Sequence, residues 1–384
     1  MPFKSIIIKM LVCMLRLLYG VNKNAVTFMC FNGKSYGDNP RTVSEELHRE
    51  APDAVVIWLL EKSISKNPPV PDYVQVIEKT SSIAFYKALA TTAVYVDNES
   101  LPFIPKSKYQ LFISLWHGDR AFKKVGYDST FRTGKRILSE AVDGYCDLAV
   151  SGSDYGERQF RSAFRYKGKI LMKGTPRDDC LLNPDPLRIA QIKQVVGVHP
   201  DTQLLLYAPT LRREYARNGQ KQVIQEIDFS RTLTKLEANT GKRWVCAVRA
   251  HPSMKGLTGF DPEGDILDLS KYGDMADLLL ASDMLITDYS SCAGDFALTG
   301  RRLVLYQPDI EAYVEKDRTF YFDMKDSPYL IAHNQEELDA ILDNLDEEKA
   351  KANCKAILDF YGTHETGHAA EAVVKEILSH LKKS

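Results

Sequence analysis

The 384-residue sequence predicts an α/β protein built from two tandem, doubly wound domains of the nucleotide-binding type. Three observations predict it. Short β-rich runs alternate with helical patterns along the whole chain. Most of these runs are continuously apolar, which suits strands covered on both faces of a parallel sheet. The segment Asn183-Pro184-Asp185-Pro186 then breaks the pattern near mid-chain, before a new strand series opens at Gln203.

The chain begins with an apolar stretch, IIIKMLVCMLRLLYG, interrupted by Lys9 and Arg16. It falls short of the roughly 20 apolar residues that span a bilayer, and no small-residue cleavage site marks it as a secretory signal. On a helix, Lys9, Arg16 and Lys23 recur every seven residues, with Ile7, Leu11, Met14 and Leu18 opposite and no acid before Asp38. This pattern predicts an amphipathic helix over residues 1–23 lying on an anionic membrane surface. The alternative is a helix packed on the protein's own core with its cations in water.

Strands are predicted at residues 25–30, 54–60, 73–77, 93–96, 110–115, 148–151 and 170–173, then at 203–207, 244–248, 284–287 and 303–306. The boundary is placed near 183–200, giving domains over 24–195 and 196–384. Beyond Tyr306 the spacing turns helical, through Leu338, Ile341, Leu342 and Leu345, and again through Val373, Val374, Ile377, Leu378 and Leu381. The last helix is expected to belong to the second domain or to pack back on the first.

Fifty basic and 51 acidic residues leave a net charge of −1, which argues against a protein that coats nucleic acid. Seven scattered cysteines without a C-x-x-C pair indicate neither a disulfide framework nor a zinc ribbon, and suit a reducing, cytoplasmic setting.

Five polar constellations each follow a predicted strand, where doubly wound folds carry their ligands. His117, with Gly118 and then Lys123 and Lys124, is placed as a general base, its unperturbed pKa of about 6.5 lying near working pH; a loop histidine is the plainer reading. Pro176, Arg177 and Asp178 form either a phosphate contact or a capped strand-to-helix turn. Thr210 and Arg212 follow the first strand of the second half as an anion site. Arg249 and His251 alternate on extended backbone, so both face one way and offer donors to a diphosphate; a buried histidine bound to a loop carbonyl explains the pair equally well. Thr287, Asp288, Ser290 and Ser291 lead into a helical pattern through Asp295, where hydroxyls, backbone N–H groups and the helix dipole meet. Helix capping by the serines is compatible with that role. Together these groups converge on a nucleoside diphosphate. No G-x-x-x-x-G-K-[ST] loop, G-x-G-x-x-G fingerprint or D-x-D metal motif accompanies them, so neither metal nor cofactor is predicted.

From about Phe28 to Phe322 the sequence resembles the CDP-glycerol glycerophosphotransferases of teichoic acid and capsule synthesis. The resemblance is carried by FNGKSYGDNP, WHGDRAFKKVGYD, KGTPRDD, YAPTLR, RAHP, DLLLASDMLITDYSS and LYQPDIEAYVEKDRTFYFD. It implies a GT-B fold, two Rossmann-like domains facing a cleft. It further implies transfer of a polyol phosphate from CDP-glycerol or CDP-ribitol to a hydroxyl, with release of CMP. The implied acceptor is a polyprenyl-diphosphate-linked saccharide or a growing polymer, reached at the cytoplasmic face of the membrane by a peripheral protein. Two functional histidines are implied, matching His117 and His251. Arg249, His251, Ser290 and Ser291 would then hold the departing CMP, with Arg212 and Lys123 behind them and Arg318 as a further candidate. The sequence departs from the family pattern at Asp119-Arg120 (Thr-Pro), Gly294 (Phe), Thr319 (Gly) and Ala372 (Arg). The rival readings are a GT-B glycosyltransferase with a nucleotide-sugar donor and a non-catalytic glycan-binding protein on the same fold.

Overall fold

The computed structural model describes residues 2–80, 82–99, 102, 104–129, 145–212, 222–223, 227–250, 257–258, 265–317 and 319–383. The chain divides into two compact units. The first comprises residues 1–119, 132–179 and 364–384, and the second 120–131 and 180–363.

Seven strands form the sheet of the first unit: β1 (Asn22–Met29), β2 (Val55–Leu60), β3 (Gln75–Glu78), β4 (Thr92–Asp97), β5 (Leu111–Ser114), β6 (Leu148–Ser151) and β7 (Lys169–Met172). All pairings are parallel, in the order β3-β2-β1-β4-β5-β6-β7. The continuous apolar runs reflect two covered faces. Val26, Phe28, Trp58, Val94 and Val96 pack with Val43 and Leu47 of helix α2 (Asp38–Glu50) and with Val373, Val374 and Ile377 of the C-terminal helix (Ala369–Lys383). Alternate residues such as Tyr95 and Phe112 turn to the other face, against Val12 and Leu15 of helix α1 (Pro2–Tyr19) and Leu89 of the helix Ile83–Thr91. The C-terminal helix is held to this unit at its start, where Asp179 accepts the N–H groups of Ala369 and Ala370, both at 2.8 Å. Burial raises the Asp179 pKa, and those two bonds oppose the rise.

Helix α1 ends at Gly20, whose φ of +70° puts it in the left-handed region and whose N–H bonds Arg16 O. Lys23 therefore lies on β1 and not on the helix. Arg16 is also not part of an outward basic stripe. Its guanidinium donates to Ala90 O at 3.1 Å and Pro105 O at 2.5 Å. The face turned outward is apolar, with Met10, Met14, Leu17 and Leu18 all more than half exposed.

The second unit holds β8 (Gln203–Ala208), β9 (Gln222–Val223), β10 (Trp244–Val248), β11 (Leu257–Thr258), β12 (Ile266–Asp268), β13 (Met284–Thr287), β14 (Arg302–Tyr306) and β15 (Ile331–Ala332). Six of these form a parallel sheet in the order β12-β10-β8-β13-β14-β15, and β9 pairs with β11. Its core gathers Leu205, Tyr207, Trp244, Val248, Ile286, Val304, Leu338 and Leu342. The chain enters this unit at Cys180, earlier than the boundary read from the sequence. The reason is the helix Pro186–Val195, which ion-pairs through Arg188 to Asp277 at 2.5 Å and through Lys193 to Asp283 at 3.3 Å.

Strand order reverses between β1 and β4 in the first sheet and between β8 and β13 in the second. Loops leaving the carboxyl ends of strands beside such a reversal have room between them for a ligand.

Candidate active site

In the first unit, loops from β1, β4, β5 and β7 converge on His117. The imidazole Nδ1 lies 2.7 Å from Asn98 O. Because a carbonyl only accepts, Nδ1 carries the proton and Nε2 keeps its lone pair. Asn98 is in turn fixed by its side chain, which accepts the Phe31 N–H at 2.9 Å and donates to Asp38 Oδ1 at 2.8 Å. The Phe31 ring meets the imidazole edge-on, 5.2 Å between centroids. Asn39 ties the same loops together, donating to Trp116 O at 2.6 Å and accepting the Arg177 N–H at 2.9 Å. Arg177 pairs with Asp38 at 3.2 Å, lies 3.7 Å from Asp178, and donates to His117 O at 3.1 Å. Burial pushes the His117 pKa down. The Asn98 carbonyl and the Asp38 carboxylate oppose this, and Arg177 adds to it. A neutral imidazole with a bare Nε2 is the state a general base needs.

Gly118 and Pro176 are buried beside this group, Gly118 against the Trp116 indole. Arg177, read from the sequence as either a phosphate contact or part of a capped turn, is 7% exposed and bound to Asp38 and to the His117 carbonyl, so it shapes the loop that carries His117. Asp119 takes hydrogen bonds from Ser151 Oγ and Ser153 Oγ. The sequence reading missed Asp38, Asn39 and Asn98. The first two stood in the quoted FNGKSYGDNP motif, and Asn98 directly follows a strand end.

In the second unit the loops after β8 and β13 are organised by Asp288, which is fully buried. It accepts the N–H groups of Thr210 and Tyr289 and pairs with Arg212 at 2.8 Å. Arg212 is also held by Asp309 at 2.8 Å and lies over the rings of Tyr289 and Tyr313, 4.9 Å from each centroid. Burial alone would lower the Arg212 pKa, but Asp288 and Asp309 outweigh it and the net shift is upward. Thr287 Oγ1 donates to Ala208 O at 2.7 Å, joining the two strand ends. Thr210, Arg212, Thr287 and Asp288 therefore set the shape of the loops. Ser290 and Ser291, at the start of the short helix Cys292–Phe296, remain partly accessible, as does Arg249 at the end of β10, whose Nη2 donates to Tyr272 O at 3.3 Å.

Arg120 is fully buried in the second unit and pairs with Asp295 of that short helix at 2.8 Å. A Cβ on Gly294 would fall 2.6 Å from the Arg120 Cβ. Two departures from the family pattern are thus one packing solution: the glycine makes room for the arginine. Lys123 bridges to Phe320, and the Lys124 N–H bonds Thr319 O at 2.9 Å, so both lysines lie on a segment paired with 319–321. His251 and Arg318 lie outside the described residues.

Two parallel Rossmann-like sheets, each with polar side chains gathered past its strand ends, define an α/β enzyme of the GT-B-like class. Residues 10–379 match the family model described as CDP-glycerol:poly(glycerophosphate) glycerophosphotransferase, and the chain belongs to that family. It is 32% identical to the teichoic acid glycerol-phosphate transferase of Staphylococcus aureus (strain NCTC 8325 / PS 47), over 93% of each chain. It is 30% identical to the teichoic acid poly(glycerol phosphate) polymerase of Bacillus subtilis (strain 168), covering 93% of this chain and 49% of that one. The chain thus spans about half of the Bacillus subtilis relative. Among solved structures, it is similar to the wall teichoic acid polymerase TagF, with a TM-score of 0.81 and 25% identity over 99% of this chain and 96% of that one. A histidine-to-asparagine variant of TagF soaked with CDPG gives a TM-score of 0.82 at 25% identity, with the same coverage.

Proposed function

We propose that the chain transfers glycerol phosphate or ribitol phosphate from a CDP-activated donor to a hydroxyl of a lipid-linked or glycan acceptor, in teichoic acid or capsule synthesis, and releases CMP. The observation that carries this reading is the His117 arrangement, an imidazole with Nδ1 bound to a carbonyl and Nε2 left as the basic nitrogen. The acceptor oxygen bonds to the phosphorus bearing the polyol, its proton passes to His117 Nε2, and the bond from that phosphorus to the CMP oxygen breaks. Arg249, Ser290 and Ser291, with His251, receive the charge that develops on CMP, the electrostatic part of phosphoryl transfer. The buried Asp288–Arg212 pair keeps the loop that presents Ser290 and Ser291 in shape.

The acceptor reading includes a membrane surface. No helix among the described residues is long and apolar enough to cross a membrane. The outward Met10, Met14, Leu17 and Leu18 of α1 support peripheral contact, the apolar face entering the boundary between headgroups and acyl chains. This contact is proposed at the cytoplasmic leaflet.

The test is product analysis. The purified chain is incubated with CDP-glycerol or CDP-ribitol and a lipid-linked saccharide acceptor. CMP should appear in step with polyol phosphate on the acceptor. Release of a nucleoside diphosphate from a nucleotide sugar would instead support the glycosyltransferase reading. No turnover with any donor would support a binding protein.

A further inference from the structure

The backbone around His117 is held in an unusual conformation. Five non-glycine residues among those described have positive φ, and four of them belong to the loops that meet at this histidine: Phe31 (44°), Asn32 (59°), Asp38 (55°) and Trp116 (46°). L-residues keep such angles only where their surroundings impose them, and they gather where function requires a fixed geometry. Four contacts impose it. Asn98 Oδ1 takes the N–H of Phe31, Asn98 Nδ2 gives a hydrogen bond to Asp38, Asp38 pairs with Arg177, and Arg177 returns to His117 O. The bond from His117 Nδ1 to Asn98 O then returns the chain of contacts to Asn98.

We infer that Asp38 and Asn98 are positioning residues of the reaction: through the Asn98 carbonyl they hold His117 in its Nδ1–H form, and Asp38 offsets the Arg177 charge beside the ring. This inference rests on His117 being the base. The two residues act in different ways. The Asn98 side chain fixes where its own carbonyl stands, and hence where the ring stands. Asp38 supplies the negative charge that keeps the imidazole basic despite burial. The charged groups bearing on the ring are Asp38 on α2, Arg177 with its neighbour Asp178 after β7, and the exposed Glu99 after β4. Asp38 and Glu99 favour the protonated ring, and Arg177 disfavours it.

The first measurement reads the unsubstituted chain. Nitrogen-resolved NMR of the imidazoles in the intact chain, with His117 assigned by loss of its signals in His117→Ala, should find a protonated Nδ1 and a bare Nε2 at pH 7. A protonated Nε2 there overturns the inference, whether or not His117 is the base. The second is the pH profile of kcat/KM for CMP release. Asp38→Asn keeps the side-chain shape and tolerates the left-handed backbone, keeps one oxygen to accept from Asn98, and removes the charge with the second acceptor that faces Arg177. Its acid limb should move to lower pH, while that of Arg177→Gln should move to higher pH. Limbs that stay in place, or move together, overturn the role of Asp38. Asn98→Ala should lower kcat about 10²-fold, the cost of a displaced catalytic group, with KM for CDP-glycerol unchanged. An unchanged kcat overturns the role of Asn98. Full activity in His117→Ala would remove the base assignment itself and leave the NMR result standing, so the two failures are separable.

Discussion

The loops around His117 and the loops around Asp288 are built from similar parts to different ends. Each set includes the loops that leave a parallel sheet beside the reversal of strand order, and each contains a buried arginine paired with aspartate. Around Asp288, a single carboxylate collects two backbone N–H groups and Arg212, and Arg212 is shared with Asp309. There one cation is shared by two carboxylates, and the donor-binding candidates, Ser290 and Ser291, stand outside the pair. Around His117 the ion pair belongs to the ring's own surroundings, and Arg177 bonds the backbone of the histidine itself. The contrast separates scaffold from chemistry. Arg177 and Arg212 are both held by carboxylates, so whatever else they bind, each fixes the shape of its own loops.

The largest loss is expected at Asp288. Asp288→Ala leaves Arg212 with one carboxylate in place of two and the Thr210 N–H without its acceptor, so a loss of about 3–5 kcal/mol is expected. Chemical denaturation followed by tryptophan fluorescence measures it, and a loss under 1 kcal/mol would mean that the pair does not organise the loops. Gly294→Ala should cost about 1–3 kcal/mol by crowding Arg120 in a filled interior, read in the same way. A neutral result would show that the Arg120 site relaxes freely. Ser290→Ala probes the accessible side of the contrast. It should leave stability intact and weaken CDP-glycerol binding or slow CMP release by about 1.5–3 kcal/mol, one hydrogen bond to a charged group. Calorimetric titration together with turnover would detect this, and unchanged values for both would remove Ser290 from the donor site. The smallest effect on folding is expected from Met10, Met14, Leu17 and Leu18 changed together to Ser, because all four side chains already face outward. That variant should lose sedimentation with anionic vesicles and keep turnover on a soluble acceptor analogue. Equal sedimentation of variant and parent would remove the membrane proposal alone.

The sheets were readable because burial on both faces writes a strand as an unbroken apolar run. Each run picked from the sequence falls on a strand of one of the two large sheets. The short edge strands Ile266–Asp268 and Ile331–Ala332 were not legible, since three and two residues leave no pattern above chance. The chain's crossings between units were hidden for another reason. Composition marks Pro184 and Pro186, but the helix Pro186–Val195 is assigned by its ion pairs to residues about 90 positions away. At the candidate site, His117 was legible from its place after a strand. Asp38 and Asn98 were not, because their importance lies in contacts spanning β1, β4 and β7. On α1 the heptad spacing of cations was visible, while the carbonyls of Ala90 and Pro105 that claim Arg16 were not.

The central claim is that His117 takes the acceptor proton during polyol-phosphate transfer. The most direct measurement compares single-turnover CMP formation from bound CDP-glycerol in the parent and in His117→Ala, both saturated with donor and acceptor. The variant should fold, bind CDP-glycerol as the parent does and form CMP about 10²- to 10⁴-fold more slowly, the contribution of a positioned general base. In the parent, activity should persist below the pKa of about 6.5 of a free imidazole, because burial lowers that of His117. A variant that forms CMP at the parental rate would contradict the account.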